Sequence, residues 1–272
     1  MRVSIVTVAF NEVANIGATM SSVLEQSYPD IEYIVQDGGS TDGTVELIEK
    51  AGGESRRSAE GRPSFLWKSE RDGGIYFGMN NGLARCTGDY VLFCNAGDRL
   101  AANDVIEKLV KKAEADGLPD LVYGDCVSEE NGELLIHPAH GPGFIRFGMP
   151  ASHEAMLYKL SLVKALGLRY DTSYRIAADY KFTCQFVSAA KSFAYVQTPV
   201  VVFSAGGVST VNQWRGLMEA SRVRKEVGVP WVTRMTVVAM QCCALLLSRY
   251  ARPIYKLVLK ARMSRSEPSI LQ

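Results

Sequence analysis

Apolar positions fall into short runs that stop abruptly at polar residues, with longer periodic stretches between them. Residues 3–8 form a first strand-like run that stops near Asn11 and Glu12. Residues 15–24 then place Ile16, Met20, Val23 and Leu24 on one helical face. Residues 32–36 predict a second strand, and 42–50 a helix whose start is marked by Ser40, Thr41 and Asp42. Residues 52–63 read as a charged loop, 65–68 as a third strand, 75–85 as a helix and 90–94 as a fourth strand. A helix over 102–115 and a strand over 121–123 follow. This alternation calls for an α/β fold: a mostly parallel sheet with helices on both faces.

Beyond about residue 125 the alternation loosens. Asn131-Gly132 predicts a hairpin turn. Residues 155–158, 193–196 and 200–203 are strand-like, the last two separated by Pro199, while 159–166 and 178–189 read as helices. From Trp214 onward the pattern is helical only. There are no internal repeats and no low-complexity segments.

With 272 residues, 47% hydrophobic and 22% charged, the chain carries a large core and is not compositionally disordered. The net charge of +1 argues against a nucleic-acid partner. That near-neutral total hides an asymmetry. Between Glu226 and Glu267 there is no acid, but there are Arg234, Arg249, Arg252, Lys256, Lys260, Arg262 and Arg265. A net-negative body with a basic, apolar tail suggests an anionic surface as partner. The six cysteines form no C-x-x-C pair and lie mostly in apolar runs, as small core residues of a reducing compartment do. The opening residues pass straight into a strand pattern, so no signal peptide is expected.

Open parallel sheets bind ligands at the carboxyl ends of their strands. The polar residues at those ends are therefore the candidates: Thr7 to Glu12, Asp37 to Gly43, Glu70 to Asp72, and Asn95 to Asp98. Ser40 to Asp42 are also explained by turn formation and helix capping. Asp37 is not, since it precedes the turn at the end of an apolar strand. No G-x-G-x-x-G follows the first strand, which counts against a dinucleotide-binding enzyme, and no G-x-x-x-x-G-K-[ST] occurs, which excludes a P-loop protein. The segment TVAFNEVANIG also lacks the glycine-rich, arginine-containing loop of a sugar-nucleotide nucleotidyltransferase.

Six stretches in order carry a family resemblance: VSIVTVAFNE, QSYPDIEYIVQDGGSTDGT, SERDGGIYFGMNNGLARCTGDYVLFCNAGD, PASHEAMLY, RIAADYKF and FSAGGVS. Together they resemble the inverting family 2 glycosyltransferases of the GT-A fold, and the third is similar to bacterial enzymes that build surface polysaccharides. The resemblance covers residues 3 to about 210. It implies a catalytic domain over 1–210, with a nucleotide-binding half over about 1–124 and an acceptor half over about 125–210, followed by a helical tail over 211–272.

The resemblance also assigns roles. Thr7, Ala9, Asn11 and Glu12 belong to the first-strand loop against the nucleotide. Asp37 matches the acid that contacts the base, and an ionised carboxylate suits the N3–H of uracil or thymine. Asp72, Asn80 and Asn95 border the nucleotide. Asp98 matches the last acid of the metal motif and would meet a Mg²⁺ or Mn²⁺ on the sugar-nucleotide diphosphate. Acids common in relatives are replaced here by Asn95 and Gly97, which leaves a non-catalytic, nucleotide-binding scaffold as the alternative. Asp179 matches the general base, and the same residue type also suits the first turn of a helix.

His153 and Ser209 are weaker candidates for the diphosphate or the acceptor. His153 reads equally well as a structural residue, and Gly206 to Ser209 as a plain turn. His137 and His140 lack acid or cysteine partners in metal spacing and read as a loop. In the tail, the apolar core over 235–247 is shorter than the roughly 20 residues needed to span a bilayer. The following RYARPIYKLVLKARMSR resembles an interfacial helix on anionic lipid, with packing against protein as the other reading. The expected partners are a UDP- or dTDP-sugar, a lipid-linked saccharide and an anionic membrane surface, with an oligomer left open. The expected location is the cytoplasmic face of a bacterial inner membrane, as a peripheral protein.

Overall fold

The computed structural model describes residues 1–57, 63–130, 133–203 and 212–250. Nine strands among these residues form one sheet. They are β1 (Val3–Ala9), β2 (Ile31–Asp37), β3 (Ser64–Ser69), β4 (Tyr90–Phe93), β5 (Arg99–Leu100), β6 (Leu121–Glu130), β7 (Glu133–His137), β8 (Met156–Lys159) and β9 (Phe193–Phe203). The order is β3-β2-β1-β4-β8-β6-β9-β5, with β7 hairpinned onto β6. The β3-β2-β1-β4 half is parallel, so the exits of β1, β2, β3 and β4 share one edge. β8 runs antiparallel to both β4 and β6, and this reversal joins the two halves.

The helices are α1 (Ile16–Leu24), α2 (Thr44–Arg57), α3 (Ile75–Arg85), α4 (Val105–Ala115), α5 (Leu160–Ala165), α6 (Ala178–Ala189), α7 (Gln213–Glu226) and α8 (Trp231–Tyr250). Alternation along β1 feeds a core on each face of the sheet. Val3, Ile5 and Ala9 join one cluster, and Val6 and Val8 the other. On the second face α3 packs directly on β1. A side chain at Gly82 would lie 2.4 Å from Val6, and one at Gly78 would lie 3.2 Å from Val8. Close approach of helix to strand therefore requires glycine at 82 and makes a side chain at 78 tight.

Three elements differ from expectation. α2 continues through Gly52 to Arg57 rather than ending at 50. A side chain at Gly52 would lie 3.1 Å from Phe65, so this glycine serves contact with β3, not a loop. The runs over 193–196 and 200–203 are one strand, because the register shifts beside Asp125 absorb Pro199. The helical C-terminal pattern divides into α7 and α8 at Gly228-Val229-Pro230. α7 is bonded to the body, since Glu219 accepts the backbone N–H groups of Arg175, Ile176 and Ala177. Asn131-Gly132, Ser209 with the Gly206 turn, and most of the basic segment 249–265 lie outside the described residues.

Candidate active site

The parallel edge gathers the strand-end residues. Asn11 has a left-handed backbone (φ 53°) and ties the first loop to the second. Its N–H donates to Ser40 Oγ at 2.8 Å, and its Oδ1 accepts Thr41 N–H at 3.0 Å. Glu12 is steadied by Asn15 Nδ2 at 2.8 Å. Beside them Phe10 is 61% exposed, an aromatic ring at the strand exit that the sequence pattern did not single out. Asp72 lies over the second loop: its carboxylate is 3.2 Å from where a side chain at Gly38 would begin, and it accepts Gly74 N–H at 2.8 Å.

Several of the predicted side chains turn inward. Thr7 is buried, donating to the Cys94 carbonyl at 2.6 Å and bonding Tyr33 Oη at 3.0 Å. Ala9 is part of the core, so only the backbone at these two positions borders the edge. Asp37 is buried too. Its carboxylate accepts Gly39 N–H and Ser40 N–H at 2.9 Å, Ser40 Oγ at 2.5 Å and Ser69 Oγ at 2.6 Å. Four donors largely fill the capacity of a carboxylate, so Asp37 shapes the loop instead of presenting oxygens to solvent. Asn80 uses both amide atoms on the backbone of Tyr170, each at 2.9 Å, and serves as a latch.

His153 is buried and satisfied. Its ring nitrogens bond Tyr158 Oη at 3.2 Å and Tyr170 Oη at 2.7 Å, and the ring stacks on Phe93. Burial drives its pKa down to about 3, so the ring stays neutral and structural. His137 bonds Ser128 Oγ on the neighbouring strand, and His140 packs on Phe144. Among the described residues no three His, Cys, Asp or Glu side chains gather closely enough to hold a metal by themselves.

At the exit of β4 the chain turns through Asn95 to Asp98, closed by Asp98 N–H on the Asn95 carbonyl at 3.0 Å. Thr19 on α1 fixes this turn by donating to the Asp98 carbonyl at 2.6 Å and accepting Gly97 N–H at 3.1 Å. Gly97 has a φ of 102°, and the space beside it is open. Asp98 is half-buried at the rim of that space. Asn95 donates to Glu154 Oε1 at 2.9 Å, while its own Oδ1 is a buried acceptor without a hydrogen-bond partner.

Asp179 stands in the first turn of α6. Its Oδ1 accepts Tyr180 N–H at 2.8 Å and lies 3.5 Å from Tyr76 Oη, which donates to the Ile176 carbonyl at 2.5 Å. Tyr76 is in the first turn of α3, just after the Asp72 loop, so the start of α3 joins the donor-side loop to Asp179. Burial, with the charge of Glu154 adding to it, pushes the Asp179 carboxyl up to about 7. A carboxyl held there accepts a proton from a neighbouring hydroxyl far better than an exposed aspartate does.

A parallel half-sheet with polar exits, joined through an antiparallel strand to a half that supplies a half-buried carboxylate, defines a GT-A transferase. The chain belongs to Glycosyl transferase family 2, whose domain matches residues 4–169. It is 33% identical over 188 residues to an uncharacterized glycosyltransferase of Mycobacterium tuberculosis, and the match spans 66% of each chain, just under two thirds of that relative's length. It is 27% identical over 208 residues to a PGL/p-HBAD biosynthesis glycosyltransferase of Mycobacterium bovis, covering 76% of this chain and 78% of that one. Two solved structures share the fold. Staphylococcus aureus TarS (residues 1–349, with UDP) aligns at a TM-score of 0.68 and 16% identity, over 91% of this chain and 72% of that one. The mannosyltransferase PcManGT of Pyrobaculum calidifontis (with GDP-Man and Mn²⁺) aligns at 0.62 and 17%, over 98% and 81%.

Proposed function

We propose that the protein is an inverting, metal-dependent glycosyltransferase that moves a sugar from a UDP- or dTDP-sugar to a lipid-linked saccharide during bacterial surface polysaccharide synthesis. The observation that carries this reading is the placement of Asp179, its carboxyl raised to about 7, beside Tyr76 in the first turn of α3, the helix that follows the Asp72 loop.

In this reading the base lies along the rim formed by Phe10, Asn11 and Asp72, with the exposed Phe10 ring offering a stacking face. The sugar diphosphate reaches across to the Asn95–Asp98 turn. Asn95 Oδ1 is an acceptor suited to a donor hydroxyl. The residues fit a Mg²⁺ or Mn²⁺: the Asp98 side chain carries oxygen donors, the space at Gly97 is open, and Asp98 would hold the ion through its carboxylate. Such an ion, when bound, neutralises charge on the departing diphosphate.

Asp179 takes the proton of the acceptor hydroxyl as that oxygen bonds to the anomeric carbon from the face opposite the diphosphate. The bond from that carbon to the diphosphate oxygen breaks with its electron pair, and the linkage inverts. Asp179 then loses its proton to solvent.

The α7–α8 surface supports a peripheral membrane site on the cytoplasmic face. Trp214, Met218, Trp231, Val232 and Met240 are exposed there, α8 contains Arg234 and Arg249 but no acid, and the chain continues with five further Lys or Arg. None of the described helices is long and apolar enough to cross a membrane. Aromatic and Met side chains on a basic helix suit an anionic interface.

A thermal-shift series of UDP, dTDP, GDP and ADP with Mn²⁺ or with chelator tests the donor reading. UDP or dTDP at 100 times its Kd stabilises the fold by about 2.7 kcal/mol with metal, and by much less with chelator. No shift with any of the four would overturn it.

A further inference from the structure

One end of the Asn95 amide is held and the other is open. Its Nδ2 is bonded to Glu154, while its Oδ1 is buried without a hydrogen-bond partner. A buried acceptor left open is costly, so this one calls for a group that brings it a hydrogen.

Glu154 decides which end is open. It lies in a 3-10 turn, His153–Ala155, just before β8. Because β8 runs antiparallel to β4, that turn is carried to the exit of β4. There Glu154 Oε1 accepts from Asn95 Nδ2 at 2.9 Å and Oε2 accepts from Ser152 Oγ at 2.8 Å. Burial raises the Glu154 carboxyl, while Ser152, the backbone N–H of Glu154 and Asn95 pull it back, as donors to the charged form do. A carboxylate only accepts, so it takes the NH₂ end of the amide and turns the carbonyl end away from itself.

We propose that Glu154 is a positioning residue for the donor: by holding Asn95 Nδ2 it bars the amide from flipping, and so presents Asn95 Oδ1, at the start of the Asn95–Asp98 turn, to a hydroxyl of the nucleotide-sugar. The inference rests on the reading of this edge as the donor site. A partner for Oδ1 must carry a hydrogen, which phosphate oxygens do not. In that reading the base lies along the rim of Phe10, Asn11 and Asp72, so the hydroxyls of the ribose and of the transferred sugar remain. The pairing also gives the asparagine at 95 a physical reason. An aspartate there would set a second carboxylate at hydrogen-bond distance from Glu154, and two like charges so placed cannot both ionise easily.

The test is a double-mutant cycle in the full chain: Asn95→Ala, Glu154→Met and the two together. The readout is the Kd of UDP, dTDP and a panel of their sugar conjugates in calorimetric titration. Alanine removes the acceptor, and methionine keeps the bulk of Glu154 while freeing the amide. Each single variant is expected to weaken binding about five- to tenfold, and the double variant no more than Asn95→Ala alone. A ribose hydroxyl gives the loss for every ligand, and a sugar hydroxyl for the conjugates only. The loss should be the same with Mn²⁺ and with chelator. Additive losses, wild-type binding by Glu154→Met, or a loss confined to Mn²⁺, which would make Asn95 Oδ1 a metal ligand, would each overturn the proposal. Should Glu154→Met unfold, ¹⁵N NMR of the wild type decides: the Asn95 side-chain amide hydrogens are expected to exchange slowly with water, and exchange as fast as that of an exposed asparagine would overturn the proposal. Wild-type protein that binds none of these nucleotides would overturn the donor reading and the proposal with it, whereas nucleotide binding with additive losses overturns the proposal alone.

Discussion

Replacing Asp179 with asparagine changes activity and stability in opposite directions. Asparagine Oδ1 can still accept from Tyr180 N–H and face Tyr76, so the local fold is retained. Loss of a general base lowers kcat by about 10²–10⁴, equivalent to about 3–5 kcal/mol of barrier. Stability moves the other way. The folded carboxyl titrates at about 7, against about 4 when unfolded. A raised pKa means that the stabilising contribution is fully present below the unfolded value and is lost as pH rises through the folded one. Raising a carboxyl from about 4 to about 7 costs its charged form about 4 kcal/mol, and discounting for the half-buried position leaves about 2 kcal/mol.

Asp179→Asn is therefore expected to melt about 5 °C above wild type at pH 8, with the advantage vanishing at acidic pH. Scanning calorimetry from pH 5 to 9, with kcat measured on the same samples, reads both effects. A variant less stable than wild type at pH 8 would refute the reasoning, because it would make Asp179 a structural acid. An unchanged kcat would refute its role as base.

Asp98→Asn should remove the Mn²⁺-dependent part of UDP binding in calorimetric titration, and wild-type turnover in Mn²⁺ would contradict the metal assignment. Asp37→Asn should cost about 3 kcal/mol in denaturant unfolding, because an amide cannot accept from all four surrounding donors. A loss of UDP affinity without a loss of stability would instead return Asp37 to direct contact with the base. Trp231→Ser with Met240→Ser should weaken flotation on anionic vesicles, and wild type should float less on neutral vesicles or in high salt. Equal flotation on all lipids would contradict the membrane surface.

Periodicity made the parallel half-sheet readable, and the limits of α3 and α6 agree with the expected ones, because each helix carries a periodic set of buried apolar residues. It also placed the polar strand exits on one edge. What it could not supply was direction. A polar residue at a strand exit faces ligand or loop depending on partners remote in sequence. Asp37 turns to Ser69 across 32 residues, and Asn80 to Tyr170 across 90. Glu154 escaped notice for the same reason. Nothing local distinguishes it, and it reaches Asn95, 59 residues away, only through the antiparallel pairing of β8 with β4. The exposed Phe10, between an apolar strand and Asn11, was the one missed candidate with a local signal.

The most direct test of inverting transfer at this site is ¹H NMR of donor hydrolysis, with water standing in for the acceptor. Wild-type protein is incubated with Mg²⁺ and a panel of α-linked UDP- and dTDP-sugars. One donor should yield its nucleoside diphosphate together with the β-anomer of the free sugar before mutarotation, and Asp179→Asn should release neither. First appearance of the α-anomer, or equal release by the variant, would contradict the account.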